Sequence, residues 1–136
     1  MCGAHTDVPS VVRAPLPSPV PAGEHERCPV TDLLRRVGDK WSVLVIVLLG
    51  RGPRRFNGLH RGIEGISHRM LTRTLRSLEG DGLVRREVFP TVPPGVEYGL
   101  TSLGRSLLEP LSALADWAVE HEGEIAEARR AFGADA

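Results

Sequence analysis

The sequence is 136 residues long, with 41% apolar and 25% charged residues, which is ordinary for one globular domain that can bury a core. Its longest apolar run, residues 43–49, is far shorter than the ~18 residues that span a bilayer, and the N-terminus lacks a signal-peptide pattern. We therefore expect a cytoplasmic protein with no membrane association. The two cysteines, Cys2 and Cys28, form no disulfide framework and fit a reducing compartment.

The net charge is formally zero, but it is divided unevenly along the chain. Between residues 51 and 86, nine arginines face three acids, for a net charge of +6. From residue 105 to the end, three arginines face seven acids, for a net charge of −4. This division indicates that the middle of the chain binds an anionic partner and that the C-terminal part has a different function.

The N-terminal segment differs in composition from the rest of the chain. Residues 1–26 contain five prolines, few large apolar residues and no periodicity, which predicts a disordered proline-rich arm. We expect residues 27–130 to form the folded domain, including a C-terminal helix, and residues 131–136 to form a tail.

Two helices are predicted after the arm. In CPVTDLLRRVG, proline suits the first helical position, so Cys28 falls at the N-cap and Gly38 ends the helix. Asp39 is predicted to cap KWSVLVIVLLG, which ends at Gly50. The β-branched residues in this second segment also fit a buried strand. The aspartate cap, the closing glycine and the length favour a helix.

The next segments predict a short helix, a tight turn and a longer helix. Asn57 is placed to cap the short helix, and Gly65 to form the turn. Ser67 is predicted to cap the longer helix in SHRMLTRTLRSLEG, which ends at Gly80 or Gly82.

Two strands and a last helix complete the predicted fold. LVRREVF and GVEYGLT are predicted strands, joined by the proline-rich tip FPTVPPG. Thr101 is placed to cap a long helix, which Pro110 should kink because its ring clashes with the Ser106 carbonyl. The order predicts a mainly α fold with a small β-hairpin (α+β), a winged helix-turn-helix.

The helix after Ser67 carries two interleaved sets of residues. Its apolar set is Leu71, Leu75 and Leu78. Its basic set is Arg69, Arg73 and Arg76, with His68 and Thr72 beside it. At about 100° per residue the leucines cluster within about 60°, and the arginines lie about 130–200° away from the first leucine. Burial of the leucines should therefore direct the arginines outward.

A solvated basic surface is the simplest interpretation of such a row. However, no acid lies four residues away from any of these arginines. An exposed helix that is charged only for solubility usually has acids at that spacing. The arginine fork matches phosphate and the edge of guanine, which indicates double-stranded DNA as the partner. The predicted DNA-binding residues are Arg54, Arg55, Ser67, His68, Arg69, Thr72, Arg73, Arg76 and Arg86.

The sequence gives weaker indications of thiol sensing, metal binding or catalysis. Cys28 at a helix N-terminus would have a stabilised thiolate, which fits a redox or electrophile sensor; a buried apolar filler fits equally well. The five histidines show no ligand spacing, and no glycine-rich phosphate loop or GxSxG motif is present. We therefore expect no enzyme activity, no cofactor and no metal site.

The motifs CPVTDLLRRVGDKWSVLVIVLL, GPRRFNGLHRGIEGISHRMLTRTLRSLEGDGLVRR and VPPGVEYGLTSLGRSL resemble the HxlR family of bacterial winged-helix transcriptional regulators. The resemblance implies a homodimer that binds DNA, with the first and C-terminal helices at the subunit interface. It also implies a recognition helix that opens at Ser67 and a wing tip around residues 93–95. Many members carry a basic residue where this chain has Gly95, and some sense oxidants, quinones or aldehydes through a cysteine at the place of Cys28.

These observations predict a sequence-specific regulator that binds a pseudo-palindromic operator as a homodimer and has a possible thiol response at Cys28. Two alternatives stay open: a winged-helix module that binds protein or RNA, and a DNA-binding regulator controlled by a small-molecule ligand.

Overall fold

A computed structural model describes residues 28–135 and the isolated residues Pro19 and Ala22. The arm predicted at residues 1–26 therefore lies outside the described residues, apart from those two positions. Along residues 28–135 the elements are α1 (Pro29–Val37), α2 (Lys40–Gly50), β1 (Arg54–Arg55), α3 (Phe56–Gly62), α4 (His68–Gly80), β2 (Val84–Phe89), β3 (Gly95–Leu100), α5 (Ser102–Ser106) and α6 (Leu108–Asp135). None of the helices described here has the length and apolar character needed to cross a membrane.

Three predicted helix caps are confirmed by their hydrogen bonds. Asp39 accepts a bond from the Ser42 backbone N–H at 2.9 Å, Ser67 Oγ accepts one at 3.0 Å at the start of α4, and Thr101 Oγ1 accepts one at 3.0 Å at the start of α5. Each bond satisfies one of the amide groups that a helix N-terminus leaves unpaired. The ambiguous second segment is helix α2, as its cap and length predicted.

The prediction of a hairpin alone was incomplete, because the sheet has three strands. Arg54 and Arg55 form β1, which pairs antiparallel with β3, and the strand order is β1-β3-β2. This strand has only two residues, too few for an alternating pattern to mark it. The prediction of Asn57 as a cap was also wrong: α3 begins at Phe56, and Arg55 is its N-cap residue.

The C-terminal helix is broken where a kink was predicted. α5 ends at Ser106, Leu107 forms a turn, and α6 begins at Leu108. Pro110 is thus in the first turn of α6, where proline is tolerated, and the chain avoids the clash with the Ser106 carbonyl by starting a new helix. α6 continues to Asp135, so most of the predicted tail at residues 131–136 is helical.

The core joins the helices to one face of the sheet. Its buried residues are Val37, Val45, Ile46, Leu49, Leu59, Ile63, Ile66, Leu71, Leu75, Leu78, Leu83, Val84 and Leu100. The leucines of α4 are 0–1% exposed. Because α4 packs against both α2 and β2, these side chains determine which face of α4 points away from the domain.

The Asp39 cap makes stability depend on pH. Burial acts to raise the pKa of Asp39, but hydrogen bonds from Ser42 and from nearby backbone groups outweigh burial and hold this pKa below its usual value of 3.8. A lowered folded-state pKa stabilises the fold fully above the unfolded value, and this stabilisation disappears as the pH falls through the folded-state pKa.

We expect Asp39→Ala to lower the free energy of unfolding by about 0.5–2 kcal/mol near neutral pH, because α2 loses its N-cap. Asp39→Asn keeps an acceptor, so it should cost less and should remove part of the loss of stability below about pH 4. Urea unfolding at neutral and acidic pH measures both effects. Identical pH dependence in wild type and Asp39→Asn would contradict this assignment.

Candidate nucleic-acid interface

The exposed face of α4 carries the basic set that the sequence indicated. Arg69, Arg73 and Arg76 are exposed, whereas the leucines between them are buried. Among the described residues, none of the three arginines has a carboxylate within 4.0 Å. Glu79, one turn after Arg76, lines a surface cleft together with Arg76, but the two side chains form no ion pair among the described residues. The guanidinium groups of α4 are therefore available to an external anion.

A stack of rings connects the beginning of α4 to α3. The His68 ring lies 4.0 Å from the His60 ring and 5.6 Å from the Phe56 ring, centroid to centroid, with interplanar angles near 20°. The stack holds the first turn of α4 against α3 at the helix-turn-helix corner. This contact could not be predicted from the sequence, because residues eight and twelve positions apart show no local pattern.

The two arginines of β1 have different surroundings. Arg54 is half-buried, and its Nη1 lies 3.6 Å from the position that a Cβ on Gly62 would occupy. Arg54 therefore packs against α3. Arg55 is exposed, and its guanidinium lies over Gly95, the first residue of β3. The wing tip is accordingly residues 90–94, and Gly95 belongs to the strand.

The arginines of β2 point to opposite faces of the sheet. Arg86 lines a cleft of about 340 Å³ with Thr72 and Arg76 of α4 and with Tyr98 of β3. Arg85 lies over Gly99 and donates a hydrogen bond to Glu87 at 3.0 Å. Arg86 thus adds its charge to the α4 face, and the charge of Arg85 is offset by its neighbour.

Cys28 occupies the predicted position before α1. It is the N-cap residue, makes no side-chain cap bond, and is 5% exposed. Its sulfur is disulfide-bonded, so the structure shows this residue oxidised, and the expectation of a reduced thiol is wrong for this state. Arg27, which the sequence places beside it, lies outside the described residues.

The predicted DNA-binding residues fall on three neighbouring elements. α4 contributes its first two turns, β1 lies next to β3, and Arg86 of β2 reaches the α4 cleft. An α-helix with exposed arginines at its N-terminal end fits the width of a DNA major groove. The helix-turn-helix of α3 and α4, followed by a two-stranded wing, defines a winged-helix DNA-binding regulator.

Comparison with known proteins identifies the family. Residues 36–126 match the HxlR-like helix-turn-helix family. The HTH-type transcriptional regulator YtfH of Escherichia coli (strain K12), itself uncharacterized, is 47% identical over 92 residues, which are 68% of this chain and 73% of that protein. The chain belongs to the HxlR family of helix-turn-helix transcriptional regulators.

Two solved structures show the same fold. A proposed transcriptional regulator, ytfH from Salmonella typhimurium, has a TM-score of 0.66 at 40% identity, over 77% of this chain and 94% of its own. The redox regulator HypR in its reduced form has a TM-score of 0.67 at 39% identity, over 71% of this chain and 96% of its own.

Proposed function

We propose that this regulator binds a pseudo-palindromic operator as a homodimer, with the α4 helix of each subunit in a major groove. The observation that carries the proposal is the row of exposed arginines on α4 that have no carboxylate partner among the described residues. Two recognition helices about 34–36 Å apart would meet successive major grooves on one side of the duplex.

The arginines divide into two roles by their position. Arg69 and Arg73 lie in the first two turns of α4, where recognition helices contact base edges, and an arginine fork can pair with the O6 and N7 atoms of guanine. Ser67, His68 and Thr72 flank this region. Arg86 lies beside α4, and Arg54 and Arg55 lie on β1; these three contact phosphates, which supply affinity without sequence information.

Exposed apolar side chains support the homodimer. Leu33 and Leu34 on α1 are 37% and 53% exposed, and Leu114 and Trp117 on α6 are 55% and 53% exposed. Such residues on two helices would be buried against the same surfaces of a second subunit, as a two-fold interface requires. The resemblance to the family implies the same two helices.

Cys28 supports a redox response of this DNA-binding activity. Two thiols that form a disulfide give two electrons and two protons to an oxidant, and a thiol reductant reverses the step. The buried sulfur immediately before α1 would couple this chemistry to the helix that we assign to the subunit interface. The relationship with HypR, a redox regulator, is consistent with this role.

A ligand-controlled regulator is the second candidate, and a cavity favours it. This cavity is a groove open to solvent, with a volume of about 620 Å³, between α1, the start of the wing and the α5–α6 junction. Leu33, Leu83 and Leu107 line it, and the Arg36–Asp81 ion pair at 3.0 Å lies on its wall. An apolar cavity with a few polar groups is typical of a small-molecule site.

We expect Arg69→Ala and Arg73→Ala each to weaken operator binding by about 1–3 kcal/mol and to relax base preference, because each removes a fork that pairs with guanine. Fluorescence anisotropy with an operator selected from a random library measures both effects. Arg129→Ala, which removes an exposed arginine from α6, is the matched control and should change neither.

Equal losses on operator and random duplexes for Arg69→Ala and Arg73→Ala would contradict base reading. If the wild type binds single-stranded RNA but does not bind a DNA duplex, the alternative of a winged-helix interaction module is favoured.

We expect Leu114→Glu to convert the dimer to a monomer at micromolar concentration, because a carboxylate at this position cannot be buried unpaired in the interface. Light scattering after gel filtration gives the mass. Leu114→Met keeps the apolar surface and volume and should stay dimeric. A dimeric Leu114→Glu protein would show that α6 does not form the interface.

We expect oxidation by hypochlorite to change operator binding of the wild type and a thiol reductant to restore it, whereas Cys28→Ser should bind equally under both conditions. Anisotropy titrations before and after oxidation measure this. If Cys28→Ser responds to hypochlorite, quinone and aldehyde as the wild type does, the cysteine is not the sensor, and control by a ligand becomes the better explanation.

A further inference from the structure

Two glycines of β3 are covered by arginine side chains. A Cβ on Gly95 would lie 2.8 Å from Arg55 Nη1 and 3.1 Å from Arg55 Cζ. A Cβ on Gly99 would lie 2.9 Å from Arg85 Nη2 and 3.0 Å from Arg85 Cζ. Both glycines are buried and lie on β3, the central strand of the sheet. Each guanidinium therefore occupies the space that a side chain on β3 would fill.

The two covered positions lie on the same face of the sheet. Alternate residues of a strand point to the same side, so Gly95, Glu97 and Gly99 share a face. Arg85 pairs with Gly99 in the β2–β3 register, and Arg55 pairs with Glu97 in the β1–β3 register. The two arginines thus reach β3 from its two neighbouring strands: Arg85 covers the residue directly opposite it, and Arg55 reaches two residues along β3 to Gly95.

The two arginines differ in whether a carboxylate lies close enough to neutralise their charge. Arg85 Nη1 lies 3.0 Å from Glu87 Oε2, so an ion pair offsets its charge. Arg55 has no carboxylate within 4.0 Å in the described part of the chain, although Glu97 is its partner in the strand register. The charge of Arg55 is therefore left for a group outside the chain.

The part of the wing that follows Arg86 contains no basic residue. Between Arg86 and Arg105 the sequence contains two glutamates and no lysine, arginine or histidine. Without a cation near it, Glu97 on β3, which forms no ion pair within residues 28–135, would repel a phosphate backbone. Arg55 is the residue that brings a cation to this part of the sheet, because its side chain crosses from β1 to the first residue of β3.

We propose that Arg55, seated on Gly95, supplies the positive charge at the start of β3, next to the wing tip, and contacts a phosphate of the DNA duplex there. Gly95 is the positioning residue of this contact, because any side chain at that position would lift the guanidinium from β3. The inference rests on the proposed duplex binding and adds to it the element that carries the charge.

Gly95→Ala tests the proposal without removing a charge. The φ angle of Gly95 is not in the left-handed region, so alanine fits the backbone, and the clash falls on the flexible end of a side chain. Gly99→Ala is the matched control, because it displaces Arg85 in the same way, but the charge of that arginine is already offset by Glu87.

The experiment measures the dissociation constant of a fluorescein-labelled random-sequence duplex of about 30 base pairs at several salt concentrations. We expect Gly95→Ala to weaken binding roughly tenfold near 0.1 M salt, and the slope of log K against log salt to fall by about one, as for the loss of one phosphate contact. Arg55→Ala and the double variant should match Gly95→Ala, and Gly99→Ala should match the wild type.

Wild-type binding by Gly95→Ala, or a double variant whose loss is the sum of the two single losses, would overturn the proposal. If Gly95→Ala proves unfolded by circular dichroism, Arg55→Gln with Gly95 intact decides in its place: a slope lowered by about one is expected, and an unchanged slope overturns the proposal. Absence of duplex binding by the wild type would instead contradict the proposed function itself.

Discussion

The function of this chain depends on how α4 is held against the rest of the domain. Three leucines of α4 are 0–1% exposed, and burying each contributes about 1.5–3 kcal/mol. Any rotation of α4 about its axis would expose one of them and bury an arginine without a partner, which costs far more. The apolar contact therefore fixes the direction in which the guanidinium groups point, although the leucines themselves are buried in the core.

The basic and acidic residues of the protein are separated between the region around α4 and the C-terminal helix. The basic residues lie on α4 and on the strands beside it, whereas α6 is acidic. A zero net charge therefore conceals a basic region formed by α4 and the neighbouring sheet, and an acidic C-terminal helix that phosphates would repel. This separation would orient the domain on a duplex, and the exposed apolar side chains of α1 and α6 lie on elements other than α4.

Much of the fold could be predicted because the signals are local. The oxygens of Asp39, Ser67 and Thr101 lie within one turn of the amides that they cap, and the leucine spacing of α4 follows from helical periodicity. The strand β1 could not be predicted, because its two residues become a strand only by pairing with β3, more than forty residues later. The seating of Arg55 on Gly95 depends on the same pairing.

The central claim is that the guanidinium groups of α4 meet the duplex. The most direct measurement is an NMR titration that follows the arginine Nε–H resonances as duplex DNA is added. We expect the resonances of Arg69, Arg73 and Arg76 to shift and those of Arg129 and Arg130 on α6 to stay in place. Shifts confined to the arginines of α6, with those of α4 unchanged, would contradict the claim.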